Sequence, residues 1–141
     1  MINQWQIYAF GSAFFAGLTA VLAKVGVTNI PSNLATLIRT IVICIFLGLL
    51  VLARQEWSNP FVLNKKTLIF LILSGIATGL SWLLFFRALQ LGPAALVSSV
   101  DKLSLLFAVI LAVLFLNEHL GLVQWIGVIL MTAGALLILL K

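Results

Sequence analysis

Five ionisable side chains stand where ionisable side chains are costly. Lys24, Arg39, Arg87, Asp101 and Lys102 lie inside or at the ends of long apolar runs, in a chain of 141 residues that is 64% hydrophobic and only 8% charged. A charge near the centre of a bilayer costs at least about 2.5–3.5 kcal/mol on insertion scales, so each such residue is a functional candidate by default. Arg39 falls about a turn and a half into its run, and Asp101 and Lys102 about two turns into theirs. Lys24 and Arg87 close two other runs and are expected at the same level and on the same side. The five are expected to form one cluster, four positive charges against one negative. A mostly cationic cavity suits substrates or head groups that carry negative charge. A carboxylate such as Asp101 can hold helices together, serve as a proton-linked coupling group, or suit a cationic drug. Trp82, Ser98 and Ser99 are candidate lining residues of the same region.

A plainer reading stands beside each of these. Lys24, Arg87 and, being deeper, Arg39 less readily can snorkel their charges to the interface. Asp101 cannot snorkel far, because its side chain is short, but it can serve as a salt-bridge partner alone. Trp82, Ser98 and Ser99 can be simple packing.

Hydrolytic chemistry finds no foothold. His119, the single histidine, sits beside Glu118 in a short connection, where it is expected to face headgroups. There is no P-loop and no Cys/His cluster, and Cys44 has no second cysteine to pair with. We therefore expect no catalytic residue, no metal and no cofactor, and not an enzyme.

The elements that position these residues follow from composition. A soluble domain is about half apolar and about a quarter charged, and this chain has too few polar residues to cover a water-facing surface. A helix needs roughly 20 apolar residues to cross the hydrocarbon core, and five runs qualify: 5–25, 34–52, 68–89, 94–116 and 123–140. The unbroken Leu105–Leu116 stretch lacks the alternation of a barrel strand. The fold class expected is all-α integral membrane protein, a single bundle of five transmembrane helices in the plasma or inner membrane. The first run lacks the basic n-region and small-x-small site of a signal peptide and is read as a retained helix. Ser32 or Asn33 is expected to cap the second helix, and Gly92-Pro93 to turn the chain into the fourth. Trp57 and Phe61, in the longest connection, are expected at headgroup level. Small residues at helical spacing, such as Gly75 and Gly79 or Ser104, Ala108 and Ala112, are expected at helix–helix contacts.

The net charge of +5 is scattered singly between apolar runs, which speaks against nucleic acid. Membrane lipid and a small-molecule substrate are the partners expected. Loop charge places Arg54, Lys65 and Lys66 in the cytoplasm, and the N-terminus with them. Counting Lys24, Arg39, Arg87, Lys102 and Lys141 on the opposite side reverses the bias. A chain with so weak a bias can insert both ways and pair with an antiparallel copy.

The run Trp82-Leu83-Leu84-Phe85-Phe86-Arg87-Ala88-Leu89-Gln90-Leu91-Gly92 resembles the third-helix signature of the EamA-type transporters of the drug/metabolite transporter superfamily. Asp101-Lys102-Leu103-Ser104, Phe115-Leu116-Asn117-Glu118 and Gln124-Trp125-Ile126-Gly127 are similar to the rest of that repeat, and Ala23-Lys24 and Arg39 match features of its first half. The likeness covers essentially the whole chain as one five-helix repeat, half of an inverted-repeat transporter. It implies a permease that works by alternating access, with Trp82, Arg87, Ser98, Asp101 and Lys102 lining the cavity. The missing second repeat implies an antiparallel homodimer or a related half-size partner. A non-transporting assembly subunit and a lipid-linked-sugar flippase component are the competing readings.

Overall fold

The computed structural model describes residues 3–59 and 63–140, and Phe61 and Lys141 lie outside them. Among the described residues there are six helical segments and no strand: α1 (Gln4–Gly26), α2 (Ser32–Ala53), α3 (Lys65–Leu91), α4 (Ala94–Asp101), α5 (Ser104–Leu116) and α6 (Leu122–Leu137). Four stretches are long and apolar enough to cross a bilayer: α1, α2, α3 and the Ala94–Leu116 stretch that contains α4 and α5. The sixth segment, α6, is a shorter apolar helix of 16 residues, and turns continue it to Leu140. Large apolar side chains point outward along every span, Phe14, Phe46, Phe70, Phe115 and Leu130 among them. An exposed apolar surface of this extent belongs in lipid or against other helices. The chain is an all-α integral membrane protein.

Capping explains where several helices begin. The Gln6 side chain accepts from the Asn3 N–H at 2.8 Å, and Gln124 accepts from the Gly121 N–H at the start of α6. In both cases a glutamine three residues in reaches back to an orphan donor. Asn64 accepts from the Lys66 N–H at 3.0 Å, which starts α3 before its apolar run and carries Lys65 and Lys66 within the helix. The cap expected at Ser32 or Asn33 is not formed. Pro31 stands at that position with no side-chain cap, and Ser32 is already helical. Proline fixes its own φ near the value the turn requires, which lets α2 begin one residue earlier.

The fourth run is not one uninterrupted α-helix. At Lys102 and Leu103 the backbone N–H groups bond three residues back, to Ser99 and Val100, and Leu105 and Leu106 do the same to Lys102 and Leu103. This is a 3₁₀ turn set into a helix, without glycine or proline to cause it. The local reasons are Ser99, whose Oγ donates to the Ala95 carbonyl at 2.8 Å, and two adjacent charged residues. Serine back-bonding of this kind bends helices.

The chain folds as two compact units. One is Ala23–Gln90, and the other is made of Met1–Leu22 with Leu91–Lys141, in its described part. In the first, α2 and α3 carry the buried residues Ala35, Thr36, Phe86 and Leu89. In the second, α6 packs against both α4 and α5. The expected close contacts at Gly75 and Gly79 are not made among the described residues: a Cβ at either position would meet nothing within 4 Å.

Candidate functional site

In the Ala23–Gln90 unit, the ends of α1 and α3 are tied to each other. The Lys24 ammonium, near the C-terminus of α1, donates to the Leu89 carbonyl at 2.6 Å. That carbonyl is one of the last four of α3, which have no partner of their own. A cation at a helix C-terminus also meets the negative end of the helix dipole. In return, Gln90 Nε2 of α3 donates to the Val27 carbonyl at 3.1 Å and the Ile30 carbonyl at 2.7 Å, in the turn that follows α1. Arg87 Nη1 donates to Gln90 Oε1 at 3.1 Å, so the amide of Gln90 is used at both ends. Leu89 and Val27 are fully buried beneath this clasp.

Deeper along α2, Arg39 lies against α3. Its guanidinium carbon is 4.1 Å from the centre of the Trp82 ring and 5.4 Å from that of Phe86. Trp82 and Phe86 are four residues apart, so one face of α3 presents both rings. Cation–π contacts are worth about 0.5–1 kcal/mol when exposed and about 2 or more when desolvated. Arg39 makes no hydrogen bond or ion pair among the described residues, and the only carboxylate of 23–90, Glu56, stands 4.0 Å from Arg54.

Residues of the second unit behave differently. Asp101 and Lys102 pair with each other at 3.9 Å, at the 3₁₀ turn between α4 and α5. Asp101 and Ser98 are half-buried, and Lys102 is exposed. Thus the structure joins Arg39 to Trp82, Lys24 to the end of α3, Arg87 to Gln90, and Asp101 to Lys102. Phe86 and Gln90 were not among the expected site residues. Phe86 has a signal, its i+4 spacing from Trp82; Gln90 has none, because its carbonyl partners lie about 60 residues away in sequence. Among the described residues no three His, Cys, Asp or Glu side chains gather as a metal site would require.

A crevice of about 140 Å³ lies at the clasp, lined by Lys24, Val27, Thr28, Leu89 and Gln90. Pockets for small molecules usually occupy about 300–1,000 Å³, so this crevice is smaller than a usual ligand pocket.

Apolar spans with ionisable residues set into them define a multi-pass membrane protein. Comparison with known proteins identifies which kind. The EamA-like transporter family matches residues 3–140, and the chain belongs to that family. It is 52% identical over 138 residues to a protein of a Sinorhizobium species named an uncharacterised transporter in the cobO 3′ region, covering 98% of each chain. It is 30% identical over 126 residues to an uncharacterised protein of Methanocaldococcus jannaschii, covering 89% of each. No solved structure matches. The chain is a membrane transporter-family protein with a single repeat, the size of a half-size member.

Proposed function

We propose that this protein is a half-size secondary permease of the plasma or inner membrane. It moves a small metabolite or drug by alternating access and works as an antiparallel homodimer or with a related half-size partner. The observation that carries this reading is that one family repeat accounts for residues 3–140 and for nearly the whole of the 52%-identical relative. Inverted-repeat transporters place the substrate at the interface of two oppositely oriented repeats. Here a second copy supplies the second repeat. The small crevice in 23–90 and the open backbone at Gly75 and Gly79 support a chamber completed by another chain.

The test is the location of both termini, read with a reporter fused to each end in native membranes. Each terminus on both sides is the expected result. An N-terminus found only inside rules out the inverted homodimer and requires an oppositely oriented partner.

One observation favours a second reading, a non-transporting assembly subunit or lipid-linked-sugar flippase component: Asp101 already has Lys102 as a partner, as a purely structural carboxylate would. Asp101→Asn separates the two. A coupled permease loses uptake in proteoliposomes, across a panel of small acids, amines and sugar phosphates, while remaining assembled. A subunit loses assembly, seen as altered migration in size-exclusion chromatography.

A further inference from the structure

Building on the permease reading, we propose that Arg39 is the substrate-recognition residue of this unit and that it binds a planar oxyanion, a carboxylate or a phosphate oxygen pair. The two rings hold the guanidinium in place. Attraction to a ring draws on the positive charge as a whole and consumes none of the five N–H donors, which form a fixed fork matched to a carboxylate or phosphate. Among the described residues no acceptor fills that fork.

Energetics point the same way. Setting Arg39 in a membrane span is costly, and the ring contacts offset only part of that cost. The balance is left for an anion that the unit does not contain. Segment 23–90 holds six basic side chains and one carboxylate, and that carboxylate, Glu56, lies beyond the end of α2 beside Arg54. Of the other basic groups, Lys24 donates to Leu89 and Arg87 to Gln90, while Lys65 and Lys66 stand in the first turn of α3, at its end. Arg39 is the one that meets aromatic rings alone among the described residues. Trp82, half-buried, also offers apolar surface beside the fork, so the ligand is an anion with an apolar body or a lipid phosphate with its chains.

Trp82 makes the site observable. In the full chain with Trp5, Trp57 and Trp125 changed to phenylalanine, Trp82 is the sole indole. The purified protein, in an uncharged detergent, is titrated with benzoate, inorganic phosphate and benzylamine while Trp82 emission is followed. Expected is a saturable response to benzoate or phosphate and none to benzylamine. Arg39→Gln weakens the response by roughly 10- to 100-fold, the loss of a charge-assisted pair. Arg39→Lys, which keeps the charge without the fork, weakens it as well. Transfer to phosphatidylcholine vesicles with and without phosphatidylglycerol separates the sources. An Arg39-dependent shift on adding the anionic lipid, reversed by benzoate only at high concentration, identifies a lipid phosphate. Unchanged benzoate binding identifies a free carboxylate.

A helical protein, judged by circular dichroism, that shows no saturable Arg39-dependent response to either anion overturns the proposal. So does an Asp101→Asn variant that gains a benzoate response the parent lacks, since a protein carboxylate would then be Arg39's partner. Transport is read separately: benzylamine uptake without a benzoate response sinks the anion site and leaves the permease. Benzoate bound through Arg39 but never carried into proteoliposomes does the reverse.

Discussion

Residues 23–90 carry six basic side chains against Glu56 alone, whereas the rest of the chain holds Lys102 and Lys141 against Asp101 and Glu118. The whole net charge of the protein therefore belongs to one unit. The two units also place their charges differently. In 23–90 Lys24 reaches a carbonyl 65 residues away and Arg39 an aromatic face 43 residues away, each on another helix. In the other unit Asp101 meets its immediate neighbour. A charge that hydrogen-bonds across helices, as Lys24 does, fastens the fold, and a charge satisfied next door leaves the fold alone and disturbs only its own helix. The 3₁₀ turn at Lys102–Leu103 is that local disturbance.

If this contrast is right, the largest loss of stability comes from the clasp. Gln90→Leu removes the donors from the Val27 and Ile30 carbonyls and should cost about 1–3 kcal/mol, read as a lower unfolding midpoint in detergent. A loss no greater than that of Thr132→Val, which removes only a bond to the Val128 carbonyl within α6, would break the comparison.

Arg39 sharpens it in the opposite sense. Arg39→Met removes an intramembrane charge and two ring contacts, and the difference between these effects should raise stability by about 1 kcal/mol. Ligand binding should fall at the same time. A residue that costs stability and carries recognition behaves in this way.

The smallest effects come from two helix ends. Gln55 (φ 55°) and Asn117 (φ 54°) both adopt the left-handed conformation, one in each unit. At Gln55 the Glu56 and Gln55 N–H groups bond the Val51 and Leu52 carbonyls, a closure that favours glycine. Gln55→Gly should stabilise by about 1 kcal/mol. Asn117→Gly should change stability by less than about 0.5 kcal/mol, because asparagine already tolerates this backbone. Thermal midpoints of the two variants, measured side by side, decide the point.

Much of this was visible in the residues. Long apolar runs give spans because lipid offers the backbone no hydrogen bonds, and helices satisfy themselves. Arg39 and Asp101 were conspicuous because charge is rare in such runs. What escaped notice depends on the third dimension. Gln90 marks a helix end in sequence, and only folding brings it to the Val27 and Ile30 carbonyls. The interruption after Asp101 escaped because the usual punctuation, glycine or proline, is absent there. Gly75 and Gly79 read as a contact, but among the described residues nothing lies within 4 Å of a Cβ at either.

The clasp between α1 and α3 has a consequence for biosynthesis. Gln90 follows Val27 by 63 residues, and ribosomes add roughly 5–20 residues per second, so the donor is made roughly 3–13 seconds after the acceptor. During that interval the turn after the first helix must find its hydrogen bonds in headgroups and interfacial water. The first helix therefore enters the bilayer provisionally, and its seating is completed only when the third arrives.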